Sequence, residues 1–151
     1  MARILFICLG NICRSVAAEY IMKEIVRREG VEKEFFISSA GTSAEEAGAG
    51  MYPPMYRELE KAGVAVGNHR ATRMKRGDYG KYDLLIGMDA ENLYDMKRIW
   101  NGDPEGKIYR LMDFTDTPGN VSDPWYTRDF ARAYRDIRCG CEALYRKWVK
   151  I

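Results

Sequence analysis

The chain opens with a short apolar run, Ile4-Leu5-Phe6-Ile7, that passes directly into Cys8-Leu9-Gly10-Asn11-Ile12-Cys13-Arg14-Ser15 and then into residues with helical spacing. A strand that turns through a glycine-containing loop into a helix gathers backbone N–H groups and the positive helix end around one small volume. That volume suits an oxyanion such as phosphate. Cys8 opens the loop and Arg14 closes it, so a sulfur nucleophile lies beneath the anion while a planar guanidinium can bind two of its oxygens. Spacing alone is a weak signal, and a tight turn with a buried structural cysteine is the competing reading. The order strand, loop, helix favours the anion loop, and the Ser15 hydroxyl follows it directly.

Beyond this loop, strand and helix signals alternate. After a strand over 3–8, Ala18, Ile21, Met22 and Ile25 share one helical face, and Gly30 lies just past its end. Residues 34–39 read as a second strand. The stretch 41–51 reads as a loop, and Pro53-Pro54 starts a helix carrying Met55, Leu59 and Ala62, closed by Gly63. A third strand is expected over 82–88, with Asp89 as N-cap of a helix that buries Leu93, Met96 and Trp100. Residues 107–112 read as a fourth strand. The last helix carries Phe130, Ala133, Ile137, Cys141, Leu144 and Trp148 at three- and four-residue intervals, a stripe that a core role explains. Four strands joined by helices imply right-handed crossovers, and so an α/β fold of three α/β/α layers around a four-stranded, mainly parallel, flavodoxin-like sheet. All loops leaving the carboxyl ends of such strands gather on one edge.

Length and composition set bounds. Residues 1–151 are expected to form a single domain. The basic residues are scattered and the net charge is +2, which argues against a dedicated nucleic-acid surface. No apolar stretch approaches the roughly 18 residues of a membrane span, and the N-terminal run is too short for a signal peptide. A cytoplasmic protein is expected. The cysteines at 8, 13, 139 and 141 form Cys-x4-Cys and Cys-x-Cys, which are not zinc spacings, and His69 is the single histidine, so no metal is expected. In a reducing compartment the thiols are free, the state that a nucleophilic Cys8 needs.

Asp123, in Ser122-Asp123-Pro124-Trp125-Tyr126, admits two readings. Aspartate before proline is a common turn. A carboxyl held beside the crevice could equally protonate a leaving oxygen while Trp125 and Tyr126 flank an aryl ring.

Taken in order, Cys8 to Ser15 after an N-terminal strand, Ser39-Ala40-Gly41-Thr42, Met88-Asp89, and Asp123-Pro124-Trp125-Tyr126 before the final helix resemble the low-molecular-weight protein tyrosine phosphatase family over nearly the whole chain. The resemblance implies hydrolysis of phosphotyrosine in a protein or peptide through a cysteinyl-phosphate intermediate, releasing inorganic phosphate, with no cofactor. By that resemblance Cys8 is the thiolate nucleophile, Arg14 the clamp on the transferring group, and Asp123 the acid and then the base. Leu9, Gly10, Asn11, Ile12, Cys13 and Ser15 form the phosphate loop. Ser15 donates to the thiolate, Trp125 and Tyr126 flank the ring, and Asn11, Ser39 and His69 brace the loop from behind. Cys13 is placed to trap an oxidised Cys8 as a reversible disulfide. A monomer is the default.

Two positions depart from the family pattern. Val16 stands where proline is common, and Glu45 where many members carry a tryptophan, so an acidic lip is expected to favour basic over acidic peptides. Related enzymes with the same loop include arginine phosphatases and arsenate reductases. Ile12, with Trp125 and Tyr126, favours an aryl phosphate over phosphoarginine, and residues 80–95 hold none of the resolving cysteines that arsenate reduction needs. A phosphate-binding module without turnover and a flavodoxin-like mononucleotide binder are the remaining alternatives, disfavoured by the presence of both Cys8 and Asp123.

Overall fold

The computed structural model describes residues 1–149. Four strands, β1 (Ala2–Cys8), β2 (Phe35–Gly41), β3 (Leu84–Gly87) and β4 (Ile108–Arg110), form one sheet in the order β2-β1-β3-β4, every neighbouring pair parallel. Six α-helices accompany them among the described residues: α1 (Arg14–Arg28), α2 (Pro53–Lys61), α3 (Asp78–Lys81), α4 (Ala90–Ile99), α5 (Pro124–Thr127) and α6 (Phe130–Val149).

Side chains alternate across a strand, and β1 is apolar on both faces because both are covered. Ile4, Phe6 and Cys8 face a core built with α1, α2 and α6, through residues such as Ile21, Met55, Leu59, Ile137 and Leu144. Leu5 and Ile7 face the opposite layer, where Leu85, Met96 and Trp100 pack. The expected three-layer α/β/α fold is the one observed.

The register decides where chemistry can sit. Cys8 is level with Gly41 of β2, and Ile7 with Gly87 of β3, so three strands end together at one edge. From β1 the chain crosses first to one neighbour and later reaches the other, which opens a crevice above the carboxyl end of β1.

The fourth strand is shorter than the 107–112 expected. After Arg110 the chain turns into a 3-10 segment, Leu111–Phe114. Leu111 leaves the sheet to press on α6, where a Cβ on Gly140 would lie only 2.5 Å from Leu111 Cγ. Burial of Leu111 and Met112 against the helix takes precedence over extending the ladder. Residues 64–77, between α2 and α3, have almost no regular structure, yet part of this segment continues the sheet edge: Gly41 N donates to Thr72 O (2.8 Å) and Met74 N to Gly41 O (2.8 Å).

Candidate active site

Between Cys8 and α1 all the backbone carbonyls but that of Gly10 meet a donor. Cys8 O accepts from Thr42 N (2.9 Å), Leu9 O from Ser43 N (3.0 Å), Ile12 O from Tyr52 N (2.8 Å) and Cys13 O from Ala17 N (3.0 Å). Asn11 O accepts from His69 Nε2 at 2.7 Å. The N–H groups are left over: among the described residues, none of those from Leu9 to Cys13 donates to a protein acceptor. Several unpaired donors at one spot are costly unless an anion takes them together, so the loop is an oxyanion cradle. It lies close against β2. A Cβ on Gly41 would sit 2.7 Å from Leu9 O, and only glycine admits that approach.

Asn11 adopts φ +58°, a left-handed conformation that asparagine tolerates better than most residues, and its buried side chain makes three hydrogen bonds. Its Oδ1 accepts from Thr72 N (3.0 Å), which fixes the amide orientation. Its Nδ2 donates to Ser15 Oγ (2.9 Å) and to Ser39 Oγ (3.0 Å). Ser15 Oγ thus accepts from Asn11 and lies 3.0 Å from Cys8 Sγ, from which it accepts when the sulfur is a thiol and to which it donates its own proton when the sulfur is a thiolate. The bracing expected of Asn11, Ser39 and His69 therefore has a definite geometry.

Arg14 is 4% exposed at the start of α1. Its Nη1 donates to Asp89 Oδ2 (2.8 Å) and to Val121 O (3.0 Å), and Nη2 reaches Asp123 Oδ2 at 3.4 Å. Nη1 is saturated, so Nε and Nη2 form the edge available to two oxygens of a ligand. Burial works against the charged guanidinium, but Cys8, Asp89 and Asp123 outweigh it and the pKa is raised. Cys13 behaves oppositely. Its burial pushes the thiol pKa up, Cys8 and Asp123 reinforce this, and the opposing effect of Arg14 is smaller.

Asp123 forms the expected turn and also faces the crevice. It is the N-cap of α5, with Oδ1 accepting from Trp125 N at 3.0 Å, and its Oδ2 turns to Arg14. Cys8, Arg14 and Asp123 open onto one pocket of about 220 Å³. Leu9, Gly10, Ile12, Cys13, Trp125 and Tyr126 line the same pocket, whereas Asn11, Ser15, Ser39 and His69 lie behind the loop. Trp125 and Tyr126 are 60% and 82% exposed.

The structure adds residues that the sequence did not single out. Tyr52 stands against Trp125 (ring centroids 5.8 Å apart) and Phe130 (5.7 Å), so Phe130 serves the pocket wall as well as the helix stripe. Glu46 joins Glu45 at the pocket lip, both exposed. Val16, in place of a proline, is fully buried in the core, and α1 begins at Arg14 without it. Glu19, 7% exposed on α1, accepts from Ser39 Oγ at 2.6 Å. A buried acid inside a helix gives no sequence signal of its own, because charges on helices are usually solvated.

Comparison with known proteins agrees with this geometry. The family model for low molecular weight phosphotyrosine protein phosphatase matches residues 3–150. A low molecular weight phosphotyrosine protein phosphatase of Gallus gallus is 38% identical over 154 residues, covering 95% of this chain and 94% of that one. The low molecular weight protein-tyrosine-phosphatase YfkJ of Bacillus subtilis is 32% identical over 146 residues, covering 95% and 94%. The crystal structure of YfkJ superposes with a TM-score of 0.96 at 31% identity, over 99% of this chain and 96% of that one. A protein tyrosine phosphatase of Entamoeba histolytica, crystallised with Hepes in its active site, gives 0.92 at 28% identity, over 99% and 98%. An amide cradle with a cysteine at its base, closed by arginine and faced by aspartate, thus occurs here within a chain that belongs to the low molecular weight phosphotyrosine protein phosphatase family.

Proposed function

We propose that this chain is a single-domain protein tyrosine phosphatase that hydrolyses phosphotyrosine in proteins and small aryl phosphates, with Cys8 as nucleophile. The observation that carries the reading is the row of unpaired N–H groups above Cys8, in a pocket that also holds Arg14 and Asp123. The phosphoryl oxygens take the loop amides and the Nε–Nη2 edge of Arg14, where charge in the transition state is met by donors already in position. Cys8 Sγ attacks phosphorus in line, the bond to the aryl oxygen breaks, and the Asp123 carboxyl gives that oxygen its proton. Water then attacks the cysteinyl phosphate. Asp123, now a carboxylate, takes the water's proton, the S–P bond breaks, and Ser15 stabilises the departing thiolate through its hydroxyl. Inorganic phosphate leaves.

Tyr52, Trp125 and Tyr126 supply a flat apolar wall, which supports an aryl ester over phosphoserine. The thiols of Cys8, Cys13, Cys139 and Cys141 are all free, in keeping with action in a reducing cytoplasm, and the same reading takes the protein as a monomer. The test is the Cys8→Ser variant with p-nitrophenyl phosphate. Turnover is expected to vanish while inorganic phosphate still binds, measured by calorimetry. Hydrolysis comparable to that of the unaltered protein would remove Cys8 from its role. A panel of phosphotyrosine, phosphoserine and phosphoarginine peptides then separates an aryl phosphatase from an arginine phosphatase, with the phosphotyrosine peptide expected to be cleaved best.

A further inference from the structure

Behind the phosphate loop the hydrogen bonds continue past Ser39, through Glu19, to the surface. Ser39 Oγ accepts from Asn11 Nδ2, so its single proton must find another acceptor, and Glu19 Oε1 lies 2.6 Å away. The second carboxylate oxygen of Glu19 meets Lys23 Nζ at 2.5 Å, one helical turn further on. Lys23 is partly exposed and its ammonium stands 4.9 Å from the Tyr20 ring centroid. Four groups, Glu19, Ser39, Asn11 and Ser15, connect Lys23 to the Cys8 sulfur, and with the sulfur as thiolate the proton assignment along them has one direction. Asn11 cannot turn its amide over without losing Thr72 N, and Ser39 cannot reverse without facing Asn11 with a second donor.

We infer that Glu19 is a positioning residue for the hydrolysis proposed above: as the acceptor that ends the chain, it holds Ser39 as acceptor for Asn11, and thereby keeps the Ser15 hydroxyl placed to donate to the Cys8 thiolate. It touches neither substrate nor sulfur. Remove its acceptor oxygen and Ser39 is free to rotate its proton toward Asn11, which displaces the amide that orients Ser15. The step most sensitive to this is hydrolysis of the cysteinyl phosphate, where negative charge returns to sulfur. The charged and titratable neighbours at the two ends are Cys13, Arg14 and Asp123 around Cys8, with Asp89 behind Arg14, and Lys23, Tyr20 and Tyr82 around Glu19.

The experiment compares two isosteric pairs, Glu19→Gln with Lys23→Met and Glu19→Met with Lys23→Met, on p-nitrophenyl phosphate. In the first an amide oxygen still accepts from Ser39. In the second nothing does. The glutamine pair is expected to keep kcat within about threefold of the unaltered protein, and the methionine pair to lose roughly tenfold in kcat with KM within about twofold, the order expected for one charge-stabilising hydrogen bond. Phosphoenzyme captured by acid quench is expected not to fall in the methionine pair, since the slowed step consumes it. In a Ser15→Ala background the methionine pair should cost nothing further, because the two act through one proton. Should the methionine pair fail to fold, Ser39→Ala breaks the same chain at its midpoint and is held to the same expectations. An unchanged kcat in the folded methionine pair, equal losses in the two pairs, or an undiminished loss in the Ser15→Ala background would each overturn the assignment. None of these outcomes bears on whether Cys8 is the nucleophile, which the Cys8→Ser variant decides separately.

Discussion

Two loops of this protein use their backbones in opposite ways. From Leu9 to Cys13 the carbonyls of Leu9, Asn11, Ile12 and Cys13 are spent on partners and the N–H groups are free. In the loop that leads into β4 the donors are spent instead: Lys107 N and Ile108 N go to the two carboxylate oxygens of Asp103 (2.8 and 3.1 Å), Glu105 N to Tyr79 Oη (2.8 Å), and Gly106 N to Asp103 O (3.2 Å). Each loop is organised by one short polar side chain, Asn11 or Asp103. Asn11 binds surrounding structure and leaves the amides around it to a ligand, whereas Asp103 consumes the amides around it. A site is thus recognised by which half of the backbone inventory is left over.

Three changes sharpen this contrast. The largest effect is expected for Arg14→Lys, which leaves a charge but removes the two-pronged edge; kcat for p-nitrophenyl phosphate should fall roughly 100- to 1000-fold by steady-state kinetics, with the fold intact by circular dichroism. Asp123→Asn comes next. It should slow phenyl phosphate by roughly 100-fold, the usual contribution of a positioned acid, and p-nitrophenyl phosphate far less, since a good leaving group departs without a proton. Similar losses on both esters would assign the aspartate to structure alone.

The smallest effect on catalysis belongs to the other loop. Asp103→Ala should leave kcat unchanged and lower stability by about 1–3 kcal/mol in urea unfolding at neutral pH, because two N–H groups and a phenol lose their acceptor. Burial opposes ionisation of Asp103, but the Tyr79 hydroxyl and the Lys107 and Ile108 amides outweigh it and lower its pKa. A carboxylate with a depressed folded pKa contributes fully above the ordinary value of about 4 and loses that contribution as pH falls through the folded value. The stability gap between the unaltered protein and the variant should therefore close as pH is lowered from about 5 toward 2.

What the sequence made legible was whatever local chemistry dictates. Asp89 reads as an N-cap, and it is one, with Asn92 completing a reciprocal capping box. Its second task, holding Arg14 from 75 positions away, depends on β1 and β3 lying side by side and has no local signature. Ile4 to Ile7 reads as a buried strand because apolar side chains on both faces require cover. Residues 64–77 carry little periodicity, so their part in the site was visible only at His69; the Thr72 amide that orients Asn11 is a backbone group, and backbone groups are the same in every sequence. The same holds for Tyr52 N on Ile12 O and for Val121 O on Arg14. Glu19 escaped for a different reason, since only the closeness of α1 to β2 turns a helical acid into the partner of Ser39.

Asp123 fastens α5 with one oxygen, through the backbone N–H of Trp125, and reaches toward the guanidinium with the other, so the carboxyl and the backbone that carries the indole are two ends of a single lever. Whatever shifts that backbone swings the carboxyl with it. With Asp123 as the acid proposed above, an ester whose alcohol lacks a broad flat surface is expected to forfeit grip and protonation together, so discrimination against aliphatic phosphates should be felt in the speed of bond cleavage as well as in the strength of docking.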